Sequence, residues 1–251
     1  MGSEVVRAIG AAEGMKVVAA VDPAHEDDIV SCGSDPDLVC TADLAAAIEE
    51  TSPDVMVDFT HPSVVGDNLR IALSSGLDCL VGTTGLPPDT LERLVALSPE
   101  GTCLFVAPNF AIGAVLMMRF AEQAARFMPS VEIIELHHDR KADAPSGTAL
   151  RTAALVNAAR SSVPATPGSE TELPGGEGAR GACVDDVHIH SVRLPGLVAH
   201  QEVIFGGQGQ TLSIRHDSID RTSFMPGVVL AVREVGARSG LVVGLEKLLG
   251  V

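Results

Sequence analysis

The chain has 251 residues, 46% of them hydrophobic, with no Trp or Tyr and 7 Phe, enough for one large or two smaller domains built on an aliphatic core. A formal charge of −16, from 17 basic and 33 acidic residues, argues against nucleic acid or an anionic membrane as partner. No apolar run approaches the ~20 residues of a membrane span. The five cysteines (Cys32, Cys40, Cys79, Cys103, Cys183) are scattered without a C-x-x-C pair. With no signal-peptide pattern at the start, they read as reduced thiols of a cytoplasmic protein.

The first 110 residues alternate helical and extended patterns. Residues 3–12 are predicted helical and 16–22 a strand. A helix over 43–50, capped by Asp43, leads to a strand over 54–60. A helix over 62–75 starts near a Pro. A strand over 78–82, a helix over 88–97 and a strand over 102–107 follow. The strands are short continuous apolar runs, the pattern of buried parallel strands. This predicts a Rossmann-like, doubly wound α/β domain.

Three of these strands end in small or polar residues: Asp58-Phe59-Thr60-His61, Gly82-Thr83-Thr84-Gly85 and Ala107-Pro108-Asn109-Phe110. Open α/β sheets bind ligands outside the carboxyl ends of their strands. Gly82 and Gly85 would let a ligand approach the backbone closely. Asp22, ending the strand at 16–22, is placed to accept from a ribose 2′-OH. Taken singly, such loops use Gly, Thr and Asn simply to turn; three on one sheet edge favour a binding site. A dinucleotide domain should open with a strand and G-x-G-x-x-G, yet this chain opens at a helix, with Gly2 as the last glycine of such a loop. The expectation is an N-terminally truncated domain, with the central strand and most of the phosphate loop upstream of Met1.

A long helix over 112–127 leads into a predicted strand at 131–136, then His137-His138-Asp139-Arg140-Lys141-Ala142-Asp143-Ala144-Pro145-Ser146-Gly147-Thr148, then an Ala-rich helix to about 160. Two imidazoles and an amine at a strand end thus face a helix N-terminus, where free N–H groups and the positive dipole end attract anions. A Ser that only caps and a His pair that is only surface would look alike one residue at a time; the cluster favours chemistry on a small acid. Residues 164–182 read as a loop. Three alternating runs at 187–194, 197–205 and 210–215 predict an α+β domain with a mostly antiparallel sheet. A last helix over 226–235 returns to the first domain. Domains are expected at 1–110 plus 222–251 and at 111–221.

These residues resemble the 4-hydroxy-tetrahydrodipicolinate (dihydrodipicolinate) reductase family of lysine and diaminopimelate biosynthesis, most closely its actinobacterial members. The match runs through Glu135-Leu136-His137-His138, Lys141 to Thr148, the three cofactor-like loops and Arg221-Thr222-Ser223-Phe224, and so spans nearly the whole chain. The resemblance implies His137 as proton donor or acceptor and Lys141 as second catalytic residue. It implies His138, Ser146, Gly147, Thr148 and Arg221 as binders of a dicarboxylate substrate. Gly2, Asp22, Phe59, Gly82, Thr83, Thr84, Ala107, Pro108, Asn109 and Phe110 would bind NADH or NADPH. It further implies a homotetramer formed through the second domain's sheet. Because Asp22 would repel a 2′-phosphate and no Arg follows it, NADH is expected to serve at least as well as NADPH.

Other readings are another Rossmann reductase (a semialdehyde or homoserine dehydrogenase), a Schiff-base enzyme using Lys141, and a metal site on His188 and His190, which share one strand face. The first lacks a Cys in a nucleophile context and leaves the His-His-x-x-Lys cluster unexplained; for the last no third ligand stands out, and no metal is expected. A non-enzyme alternative is a cofactor-deficient homologue keeping only the substrate domain and oligomer interface.

Overall fold

The computed structural model describes residues 1–33, 36–160, 176 and 178–251. Most of the predicted loop at 164–182 lies outside them. The chain divides into two units, Met1–Ile112 with Arg221–Val251, and Gly113–Asp220.

Helix α1 (Gly2–Gly10) is amphipathic, burying Val5 and Ile9 one turn apart. The strand predicted over 16–22 is absent. Val21 makes a single parallel bridge to Thr41, and residues 15–20 join no ladder. An apolar run becomes a strand only where a neighbour takes its N–H and C=O groups; here, among the described residues, Thr41 alone does so, donating to the Ala20 carbonyl and accepting from the Asp22 N–H, each at 3.0 Å. Two two-residue strands, β1 (Ile29–Val30) and β2 (Leu38–Val39), pair as an antiparallel ribbon; at that length they leave no period in the sequence.

Helix α2 (Leu44–Thr51) begins as expected, with Asp43 Oδ1 accepting from the Ala46 N–H at 3.0 Å. There follow β3 (Val55–Asp58), α3 (Val65–Ser74), β4 (Asp78–Val81), α4 (Pro88–Ala96) and β5 (Cys103–Val106). Leu69 and Leu73 of α3 and Leu91 and Leu94 of α4 bury against Cys79, Val81 and Leu104 of the strands. Burial pushes the thiols of Cys79 and Cys103 up, that of Cys103 to about 11, so they serve as small apolar residues.

The second unit contains α5 (Ile112–Ala125) but for its first residue, β6 (Ser130–His137), α6 (Gly147–Ala159), β7 (Ala182–Val184), β8 (Val187–Arg193), β9 (Ala199–Gly207) and β10 (Gln210–Ser218). Its sheet has the order β10-β9-β6-β8-β7. All neighbours are antiparallel except β6 and β8, which run parallel because α6 lies on the path between them. A two-residue turn with Gly209 at φ +71° joins β9 to β10. Ile133, Ile189, Val203 and Phe205 form the sheet's buried face with Ala149, Ala153 and Val156 of α6. The chain then returns to the first unit through α7 (Met225–Val235), β11 (Gly240–Val243) and α8 (Glu246–Leu249). Strand β11 adds in parallel to β5, giving the order β11-β5-β4-β3. The fold is therefore α/β, with a Rossmann-like parallel sheet and a second, mostly antiparallel one.

Candidate active site

In the first unit, β3, β4 and β5 end in register, with Asp58 opposite Val81 and Val81 opposite Val106. The three loops anticipated from the sequence therefore leave from one edge. Asp58 ties two of them together, although sequence reasoning gave it no role. It is 3% exposed and its Oδ1 accepts from the Thr60 N–H, the Thr60 hydroxyl and the Thr83 hydroxyl at 2.9, 2.8 and 3.0 Å. Its Oδ2 accepts from Asn68 Nδ2 at 2.9 Å. The Thr83 hydroxyl is thus used inside the protein.

Phe59, Gly82, Ala107, Pro108, Asn109 and Phe110 line a cleft of about 190 Å³ together with Met1 and Phe224. Phe59 and Phe110 stack at a tilt, with ring centroids 5.5 Å apart. Gly82 is bare because of this aromatic wall: a Cβ there would lie 2.1 Å from the Phe59 ring. Asn109 Oδ1 accepts from the Ala111 N–H at 2.8 Å and shapes the last loop. The cleft's apolar walls and strand-end position fit the flat face of a nicotinamide ring. Asp22 caps a 3-10 turn at Pro23–His25, its Oδ1 accepting from the Ala24 N–H at 3.0 Å. Gly2 starts α1, and Thr84 is exposed on its loop. Arg221 falls in this unit, opening the turn Arg221–Phe224 that brings Phe224 to the cleft.

In the second unit the strand-end cluster is organised by Glu135, whose side chain is wholly buried. Its Oε2 lies 2.5 Å from His137 Nδ1, and its Oε1 accepts from the Ser146 N–H at 3.2 Å. Arg193 donates from both guanidinium ends, Nη1 to Oε2 and Nη2 to Oε1, each at 2.8 Å. Arg193 also donates to the Asp143 carbonyl at 2.6 Å, which fixes the loop carrying Lys141. Burial alone would raise the Glu135 pKa; hydrogen bonds from Arg193, Ser191 and His137 overcome this and hold the carboxyl below its usual range. Burial lowers the His137 pKa, and Lys141 and Arg193 add to the effect, outweighing the opposing pull of Glu135. A carboxylate only accepts, so Nδ1 of His137 carries the hydrogen and Nε2 is the lone-pair side.

Lys141 Nζ donates to both oxygens of Asp143 at 2.7 and 2.8 Å, and that pairing lowers the Asp143 pKa. Asp143 is 60% exposed, so the pair is weak and open to exchange. Ser146 is the N-cap of α6, its Oγ accepting from the Ala149 N–H at 3.2 Å, which leaves its O–H as a donor. A Cβ on Gly147 would meet nothing within 4 Å, so the approach to the helix terminus is open beside Thr148. His138 Nδ1 is buried with no hydrogen-bond partner among the described residues, as a group awaiting a ligand would be. The structure thus gathers His137, His138, Lys141, Ser146, Gly147 and Thr148 at the end of β6. His188 and His190 are engaged elsewhere, with the Arg180 carbonyl and with Glu132. Sequence reasoning missed Glu135 and Arg193. Glu135 carried a signal, an acid within an apolar strand run; Arg193 lies 58 residues away and meets it only through the β6–β8 pairing.

A Rossmann-type unit with a cleft at its strand ends, followed by a unit that presents an imidazole, an amine and a helix terminus together, defines a class of two-unit α/β oxidoreductases. The chain belongs to the dihydrodipicolinate reductase family: its N-terminus model matches residues 1–110 and its C-terminus model residues 113–249. A 4-hydroxy-tetrahydrodipicolinate reductase of Mycobacterium sp. (strain KMS) is 52% identical over 252 residues, covering 99% of this chain and 94% of the relative. One from Nocardia farcinica (strain IFM 10152) is 57% identical over 229 residues, 88% of this chain and 91% of the relative. Dipicolinate-bound dihydrodipicolinate reductase from Paenisporosarcina sp. TG-14 superposes with a TM-score of 0.84 at 43% identity, covering 98% of this chain and 94% of that one. Because the N-terminal family model is matched across 1–110, the alternative of a homologue retaining only a substrate domain is left without support.

Proposed function

We propose that this protein reduces 4-hydroxy-2,3,4,5-tetrahydrodipicolinate to tetrahydrodipicolinate with NADH or NADPH, in the cytoplasm, for lysine and diaminopimelate synthesis, and that it works as a homotetramer. The observation that carries the reading is the convergence of His137 and the N-terminus of α6 on Glu135, with Lys141 close enough to act on the His137 charge, within a chain that belongs to the reductase family. In the balanced reaction the hydroxyl leaves as water, one hydride and one proton are added, and the coenzyme is oxidised.

The nicotinamide supplies the hydride when bound in the cleft of Phe59, Gly82, Ala107, Pro108, Asn109 and Phe110. Thr83 and Thr84 complete the nicotinamide side, Asp22 takes the adenosine ribose, and Gly2 ends the loop that takes the phosphates. With a carboxylate at the ribose and Pro23-Ala24-His25 beyond it, NADH serves at least as well as NADPH. His138, Gly147, Thr148 and Arg221 hold the two substrate carboxylates, with Ser146 setting the helix terminus. Lys141 exchanges Asp143 for a substrate carboxylate, supplying local positive charge in a chain of net charge −16.

His137 hands over the proton from Nε2 while Nδ1–H stays on Glu135. Burial lowers its pKa, which makes the imidazolium a stronger acid than free imidazole, and the Glu135 carboxylate steadies the charge while it lasts. Coenzyme oxidation that depends on substrate made in situ from pyruvate and aspartate semialdehyde tests the reading. His137→Ala should lose about 10²–10⁴-fold in kcat. A folded wild-type protein without turnover would overturn the assignment.

A further inference from the structure

Glu135 stands where a carboxylate is costly. It lies on the buried face of β6, two positions after the fully buried Ile133, and none of its side chain is exposed. A residue selected for packing alone would be apolar here. Instead both oxygens are fully used. One takes the His137 ring, the other takes the N-cap amide of α6, and the Arg193 fork spans both. One carboxylate thereby joins the proton-handling ring on β6, the anion-binding end of α6 and a cation on β8.

We propose that Glu135 is a positioning residue for the reduction, which fixes the His137 ring as the Nδ1–H tautomer and locks it in register with the helix terminus that holds a substrate carboxylate. This rests on the reading that His137 handles the proton. Two consequences follow from the geometry. The reacting nitrogen is always Nε2, because Nδ1 is committed to an acceptor that cannot donate. The distance between proton and carboxylate site is also set by a single side chain rather than by the loop 138–145. The charged groups around the His137 ring are Glu135 on its own strand, Arg193 on β8, and Lys141 with its partner Asp143 on the following loop; the register partner on β9 is the uncharged Ala199.

The test compares wild type with Glu135→Gln by kcat and KM across pH and by ¹⁵N NMR of the histidine rings. In wild type the His137 Nδ1 should carry the hydrogen and Nε2 should show the shift of an unprotonated nitrogen above its titration. In Glu135→Gln the amide can present its NH₂ to the ring, so the tautomers should mix. Loss of the carboxylate removes the group that raises the ring's pKa against burial, Arg193 and Lys141, so the ring should titrate at lower pH than in wild type. We expect kcat to fall at least about 10–100-fold, the cost of losing the carboxylate that orients a metal-bound histidine, and up to the roughly 10⁴-fold that losing the orienting acid costs a catalytic triad, with substrate KM changed far less. Glu135→Asp, which keeps the charge, should recover part of the kcat.

Folded Glu135→Gln with unchanged kcat and tautomer would overturn the proposal. So would a wild-type His137 in the Nε2–H form, a result obtainable even if the variant does not fold. Wild-type protein lacking turnover would instead count against the functional reading, while the tautomer measurement would still decide the role of Glu135.

Discussion

Arg193 and Glu135 meet end to end, two parallel N–H···O bonds of 2.8 Å closing around a carboxylate that solvent does not reach. Strand pairing makes this possible. Residue 137 of β6 lies opposite residue 193 of β8, and residue 135 opposite residue 191, so the Arg193 side chain reaches back along the strand to the carboxylate. Such a bidentate pair has defined geometry as well as charge. Its value lies in what its loss would strand.

Arg193→Ala should therefore be among the most damaging substitutions in the second unit. It leaves a buried carboxylate with its main cation gone, a class of change that costs about 3–5 kcal/mol. It also releases the Asp143 carbonyl and with it the Lys141 loop. We expect a large drop in urea midpoint together with loss of turnover. A change in stability within about 0.5 kcal/mol, the size of an ordinary surface substitution, would show that the pair is dispensable.

The same pair gives a pH signature. The folded Glu135 carboxyl titrates below its ordinary value of 4.5. A depressed acid adds stability above the unfolded pKa, and that stability is lost as pH falls through the folded value. The stability difference between wild type and Glu135→Gln should be constant near neutrality and shrink below about pH 4.5. Chemical denaturation at a series of pH values checks this; a difference that grows on acidification would contradict it.

His137 titrates in the opposite sense to a surface histidine paired with an acid. Its folded pKa is lowered, chiefly by burial, so the folded state favours the neutral ring. NMR titration should find His137 mostly neutral at pH 6.5. Its contribution to stability is present above the ordinary pKa and falls away as pH drops through the folded one. A ring still protonated well above pH 6.5 would refute the electrostatic picture of the site.

In the first unit, Gly82→Ala would drive a Cβ into the Phe59 ring. Overpacking of this kind costs about 1–3 kcal/mol, and here it would also displace a wall of the coenzyme cleft. We expect weaker stabilisation by NADH in thermal melts, with substrate-analogue binding little changed. Asp58→Ala should act at the same place by another route. It frees the Thr60, Asn68 and Thr83 donors at a cost of about 1–3 kcal/mol.

Much of this was legible in the sequence because it is local. Asp43 and Ser146 both cap the helices they precede, and the loops at 58–61, 82–85 and 107–110 do leave one sheet edge. The segment 16–22 misled because its composition is that of a strand while its single bridge, Val21 to Thr41, is all the pairing it finds. Gly82 carries a second constraint that no local pattern shows: a Cβ there would meet the Phe59 ring as well as narrow the cleft. Arg193 was invisible because its meaning depends on register with a strand more than fifty residues earlier. Glu135 could have been noticed, since alternation along β6 puts it on the face of Ile133 and His137.

The most direct test of the reduction follows the hydrogen itself. With coenzyme carrying deuterium at the transferred position of C4 and substrate generated in situ, mass spectrometry of the tetrahydrodipicolinate formed should find one deuterium per molecule of coenzyme oxidised, with His137→Ala slowing its appearance about 10²–10⁴-fold. Coenzyme oxidation that leaves the product unlabelled, or no reduced product from folded protein, would contradict direct hydride delivery at this site.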